Sequence, residues 1–131
     1  MRSRLSLAHR NELPKDAVLY LFYATWCGYC TQFRIGNHDQ DENDFPAGSP
    51  PATSEWGKVF YYFNQKRPHL GVKVMEINCD TDNPLAAKYG VMGFPTVILD
   101  TKNRNHYIYS GPRKHENITD FVLMKLAQQQ N

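Results

Sequence analysis

The sequence predicts an α/β fold, a sandwich with a central mixed sheet of four strands flanked by helices, and three observations carry that prediction. Apolar, β-prone runs at 17–23 and 72–78 are separated by a stretch of helical periodicity. Two shorter runs, 96–99 and 107–110, flank "DTKNRN", whose Asp, Asn and Lys content is that of a hairpin loop. A final stretch, 114–128, again repeats at helical spacing.

Each element follows from its own pattern. The run "AVLYLFY" at 17–23 is apolar without alternation, as expected for a strand buried on both faces. A helix is expected at 27–33, and a second at 54–66 with Trp56, Val59, Phe60 and Phe63 on one face. "VKVMEIN" at 72–78 alternates and reads as the second strand, followed by a short helix at 83–89. In 114–128, Ile118, Phe121, Val122 and Leu126 share a face. A strand–helix–strand crossover makes the first two strands parallel if they are neighbours.

With 131 residues the chain is long enough for one core and too short for two independently stable domains, so 1–131 is expected to form a single domain. Apolar residues make up 41% and aromatics 13%, a globular composition, and no apolar run reaches the roughly 20 residues that span a bilayer. No membrane association is expected. Cleavage of a signal peptide after the longest apolar stretch, 17–27, would discard the start of the cysteine motif, and the "LAQQQN" end carries no retention tetrapeptide. These points favour an intracellular, cytoplasmic location. A net charge of +2 with scattered Lys and Arg gives no nucleic-acid footprint. Three cysteines cannot all pair, which argues against a disulfide-stapled domain.

Two features of the chain ask for chemistry. The first is "YATWCGYC", with Cys27 and Cys30 three residues apart at an expected helix start. A sulfur there faces unpaired backbone N–H groups and the positive end of the helix dipole, which favour the nucleophilic thiolate, while Cys30 one turn on can resolve. A metal site would need two further soft ligands, yet Cys79 stands alone and His9, His38, His69, His106 and His115 show no paired spacing. The plainest alternative, two small core residues, conflicts with the exposed position expected at a helix start and with the adjacent Trp26 and Tyr29. The second feature is 34–53, "RIGNHDQDENDFPAGSPPAT", which has no period and carries Asp39, Asp41, Glu42 and Asp44 against the single cation Arg34, a net charge of −3.

The strings "VLYLFYATWCGYC", "SEWGKVFYYF", "VKVMEINCDTDNPLAAKYGVMGFPTVIL" and "YSGPRKHENITDFV", in that order, resemble a thioredoxin-superfamily domain, closest to the catalytic domains of protein disulfide isomerases. The resemblance implies a thioredoxin-like three-layer sandwich in which Cys27 attacks, Cys30 resolves and Pro95 is a cis-proline facing them. Trp26, Gly28, Tyr29, Phe94 and Pro95 then form the substrate-binding set, with the backbone of Phe94 exposed to pair with an extended client. Arg113 matches an arginine that can swing toward the buried cysteine. No cofactor is implied, and the partners are protein or peptide disulfides held through a transient mixed disulfide. Cys79 is expected to be an inert thiol, and the sequon at Asn117 an unused one.

Four departures from the family pattern stand out. The buried acid of the central strand is Leu21 here, and the lysine that accompanies it aligns with Glu76. The exchange suggests a proton acceptor moved to the neighbouring strand, with a solvent-facing Glu76 as the alternative. Tyr29 replaces the family's His or Pro, removing a cation from beside Cys27 and making the pair less oxidising. Residues 1–16 are too few for the usual first strand and helix, so the domain is expected to be N-terminally trimmed. Finally, 34–53 reads as an acidic insertion interrupting one helix at the active-site edge, either a selectivity element or a solvated bulge. With only Ile35 and Phe45 as large apolar side chains, it is expected to be removable without harm to the core. The leading function is a thiol–disulfide oxidoreductase of reductase or isomerase type, and the alternative is a binding or structural subunit of a larger assembly.

Overall fold

Strand β1, Ala17–Tyr23, is buried along both faces, which explains why its sequence is apolar rather than alternating. The computed structural model in which this is seen describes residues 17–129 apart from 38, 102 and 104. The expected N-terminal trimming, which concerns 1–16, lies outside the described residues. β2 (Val72–Asn78) runs parallel to β1 with Leu21 beside Glu76, as the crossover required. β3 (Thr96–Asp100) lies antiparallel on the other side of β1, and β4 (His106–Ile108) antiparallel beyond it, in the order β2-β1-β3-β4. β4 is shorter than the predicted 107–110. Tyr109 N–H still reaches Val97 O at 2.9 Å, but the chain then meets Pro112, which has no N–H to continue a ladder.

Helices cover both faces of this mixed sheet. α1 (Gly28–Arg34), α2 (Glu55–Tyr61) and α4 (His115–Gln129) bring Phe33, Trp56, Val59, Ile118, Val122 and Leu126 against Leu19, Leu21 and Tyr23. On the opposite face α3 (Pro84–Lys88) and the chain after it pack Leu85, Tyr89 and Val91 against Tyr20, Phe22 and Ile98. The helix expected at 54–66 is not uniform: α2 widens into a π turn over Tyr62–Lys66. That turn carries Asn64, whose side-chain amide accepts from Val74 N–H at 3.0 Å and donates to Val74 O at 3.3 Å. A side chain thus occupies backbone groups of β2 that the sheet leaves unpaired.

The starts of α2 and α4 are tied together. Ser54 caps α2 by accepting from Gly57 N–H at 2.8 Å, and Glu55 accepts from His115 N–H at the start of α4 at 2.9 Å. That backbone donor above all, helped by the His115 ring and Lys58, lowers the Glu55 carboxyl to about 2.

The segment between α1 and α2 is part of the scaffold, which corrects the expectation of a removable bulge. Arg34, the last residue of α1, is fully buried, and Glu42 and Glu76 are buried with it. Arg34 donates from Nε and Nη2 to Glu76 (both 2.9 Å), from Nη1 to Glu42 (2.7 Å), and from Nη2 to the carbonyls of Phe45 (2.7 Å) and Pro46 (2.8 Å). Tyr23 of β1 lies under the guanidinium, 4.6 Å from its centre. Few apolar side chains are needed, because polar groups of the segment satisfy a buried cation that would otherwise be stranded. Pro50 O accepts from the Tyr61 hydroxyl at 2.8 Å and fastens the far end to α2.

The same segment presses on α2 at Gly57. A Cβ built there would lie 1.8 Å from Pro51 O and 2.8 Å from Ser54 Oγ. Gly57→Ala is therefore expected to destabilise the domain by about 1–3 kcal/mol or more, since backbone and not a flexible side chain must move. Urea unfolding checks this; a midpoint equal to that of the parent would show that 50–54 yields freely.

Candidate functional site

The turn after β1 delivers the cysteines. Thr25 donates from its backbone N–H and its hydroxyl to the Asp80 carboxylate, at 2.7 and 2.6 Å, pinning this turn to the one that follows β2. Cys27 then adopts an extended backbone and caps α1, its Sγ accepting from Cys30 N–H at 3.3 Å. The thiol of Cys27 also reaches Phe94 O at 3.6 Å.

The two sulfurs are unequal. Cys27 is 8% exposed and sits between Trp26 and Tyr29, which are 71% and 72% exposed, while Cys30 is fully buried beneath it. Both are free thiols. Burial first, then the hydrogen bond with Cys27, raise the Cys30 thiol far above its ordinary range, against a smaller opposing effect of the Ala24 backbone. The sequence suggested a more exposed pair. The neighbours at the helix start carry that exposure, and only the edge of Cys27 is reachable.

The sequence-derived binding residues gather around this edge. The Phe94–Pro95 peptide bond is cis, and the Phe94 ring meets Trp26 edge-on at 6.0 Å. Gly28 faces open space, with no atom within 4 Å of where a Cβ would stand. Pro95 also lines a cleft of about 250 Å³ with Phe33, Val97, Tyr109 and Arg113. The guanidinium of Arg113 stacks over the Tyr29 ring, 5.6 Å from its centre. Cys79 is half-buried, with burial raising its thiol, and lies in the turn that Asp80 pins.

Glu76 is placed differently from either sequence reading. It faces the core and not solvent, and all four lone-pair directions of its carboxylate are taken: Arg34 Nη2 and Gly48 N–H (2.6 Å) on Oε1, Arg34 Nε and Trp56 Nε1 (2.9 Å) on Oε2. No acceptor site is left for a proton from Cys30, so Glu76 is an anchor for the loop and not a relay. The carboxylate whose charge bears on Cys30 is Glu42, from the acidic segment. Sequence reasoning missed Arg34 and Glu42. One signal was present: Arg34 follows Cys30 by four residues and so shares its buried face of α1, a face that would strand a cation without acids nearby. Among the described residues, Glu55, His115 and Glu116 place ligand atoms within 4.8 Å of one another, and there the Glu55 carboxylate already serves as the helix cap.

Comparison with known proteins matches this arrangement. The sequence profile of the Thioredoxin family matches residues 55–124, from the start of α2 into α4, with the cysteines lying before that span. The chain is 32% identical over 122 residues to protein disulfide-isomerase A6 of Mus musculus, covering 92% of this chain and 22% of that protein. It is 30% identical over 126 residues to a protein disulfide-isomerase of Schizosaccharomyces pombe, covering 95% of this chain and 29% of that one. The chain therefore spans less than a third of these relatives' lengths. Among solved structures, the first thioredoxin domain of mouse protein disulfide-isomerase A4 superposes with a TM-score of 0.56 at 26% identity, covering 89% of this chain and 65% of that one. The profile match covers more than half of the chain, and the strand order and helix placement agree with it: this chain belongs to the thioredoxin family.

Proposed function

We propose that the domain is a thiol–disulfide oxidoreductase acting on protein or peptide disulfides, of reductase or isomerase type. The observation that carries this reading is the inequality of the two sulfurs: an edge-exposed Cys27 hydrogen-bonded by Cys30 N–H, above a fully buried Cys30. The Cys27 thiolate attacks one sulfur of a client disulfide, forming a Cys27–client bond and releasing the other client sulfur as thiolate. Cys30 then gives up its proton and attacks Cys27 Sγ. The Cys27–Cys30 bond forms, the second client thiolate leaves, and two electrons have passed from protein to client. Trp26, Tyr29 and Phe94 supply an apolar apron on which a client can rest. The isomerase names of the relatives support the same reading.

Tyr29 between the cysteines contributes an aromatic face and no positive charge of its own. The reduction potential of the pair is accordingly expected at about −270 to −200 mV, the thioredoxin-to-glutaredoxin range. Equilibration in glutathione buffers, read by the redox state of Cys27 and Cys30 and alongside reduction of a model protein disulfide, tests the proposal. A value near about −120 mV would make the domain an oxidant. A dithiol that reduces no disulfide at all would leave the subunit alternative standing.

A further inference from the structure

The chain between β4 and α4 carries a cation to the rim of the redox site and holds it there. Tyr109 N–H is bonded to Val97 O of β3 at 2.9 Å, and its ring meets Phe121 of α4 edge-on at 5.1 Å. The ring folds back along its own loop, with its hydroxyl donating to Pro112 O at 2.6 Å. A side chain at Gly111 would crowd that arrangement, since a Cβ there would lie 2.7 Å from the Tyr109 oxygen. Next after Pro112 is Arg113, whose guanidinium lies 5.6 Å from the centre of the Tyr29 ring. Backbone and side chain of Arg113 are thus both placed, which reduces the ordering cost when a ligand arrives.

This cation has donors to spare. Arg113 is exposed, and among the described residues the ion pairs are made by Arg34, Lys58 and His115. A cation–π contact uses its charge and its face, and consumes none of its five N–H groups. Beside it lies the cleft of about 250 Å³, floored by the buried Phe33, Val97 and Ile118 and bounded by Pro95. That is below the roughly 300–1,000 Å³ of sites for drug-sized molecules, and it suits a single side chain. Two routes join the cleft to Cys27. Pro95 follows Phe94, whose carbonyl the Cys27 thiol reaches at 3.6 Å, and Tyr29, under Arg113, is two residues on from Cys27.

We propose that Arg113 is a specificity-determining residue that selects clients carrying a carboxylate side chain two residues from the reacting cysteine. Side chains alternate along an extended chain, so the cysteine and the residues two away share one side, about 7 Å apart. A glutamate there lays its methylenes over the apolar floor of the cleft and meets the guanidinium at the rim, where the planar cation can donate two parallel N–H bonds to it. Glutamine offers one oxygen and no charge, and lysine is repelled. This inference takes its client from the oxidoreductase reading given above.

The test is a competition for Cys27 in a Cys30→Ser background, between end-blocked peptides identical except for Glu, Gln or Lys two residues before or after their one cysteine. Each peptide thiolate attacks a preformed Cys27–peptide disulfide, forms its own bond to Cys27 and releases the first peptide as thiolate, with no net oxidation. Mass spectrometry of the equilibrated adducts gives the preference for Glu over Gln. Dividing by the same ratio in Arg113→Gln cancels what the peptides' own charges do to their thiols. The quotient should be about three- to fivefold in one of the two placements at low salt, as an exposed but pre-oriented ion pair supplies. It should shrink at high salt. Arg113→Glu should reverse the order and favour Lys. A ratio equal in Arg113→Gln and the parent at both placements overturns the proposal, as does one indifferent to salt, or Glu still preferred over Lys in Arg113→Glu. A substitution that weakens every adduct equally leaves the ratio at its parent value and counts against the proposal, because Arg113 would then act on Cys27 and not on the client. A protein that reduces no disulfide in turnover refutes the oxidoreductase reading, while the equilibrium at Cys27 still answers for Arg113.

Discussion

Cys27→Ser is expected to reduce disulfide exchange to the uncatalysed background, whereas Cys30→Ser is expected to carry out the first attack and then stall, accumulating client bound through Cys27. The asymmetry follows from access and protonation. Of the two, Cys27 has an edge at the surface and accepts from the Cys30 N–H, while Cys30 is fully buried with its thiol raised by burial. Non-reducing gels of each variant mixed with a disulfide-bonded protein would display the difference as one trapped adduct. Equal trapping by both variants would show that the buried sulfur is reached by clients directly and would reverse the assignment.

Arg34→Met should be the most damaging substitution outside the core's aromatics, costing about 3–5 kcal/mol, because it leaves Glu42 and Glu76 buried without their cation. Against a total stability on the order of 5–15 kcal/mol, that is a large share, and it should appear as a fall in Tm on the order of 10 °C or more. Excising 37–53 should carry a similar cost, since it takes away Glu42, the carbonyls of Phe45 and Pro46, and the Gly48 N–H donor to Glu76. Arg34→Lys should fall between, as one ammonium cannot span both carboxylates and two carbonyls. Thermal unfolding of the three proteins checks the order. A variant lacking 37–53 that melts with the parent would return the segment to the surface.

The redox pair and its frame were legible because they are local. Residues 17–23 and 72–78 announce strands through composition over seven residues each, and the structure places β1 and β2 at those limits. The spacing of Cys27 and Cys30 puts one sulfur at the mouth of a helical turn and the other a turn deeper, whatever surrounds them. What pairs with Arg34 was not legible in the same way. Its partners lie 8 and 42 residues away, and a run of acids beside one arginine reads equally as a solvated loop. The π turn that brings Asn64 to β2, and the stacking of Arg113 on Tyr29 84 residues before it, likewise depend on where the chain returns. Period and composition report which face of an element is apolar. They carry no record of which charges meet once that face is buried, and here burial made one acid of the segment a partner of Arg34 and the strand acid Glu76 an anchor.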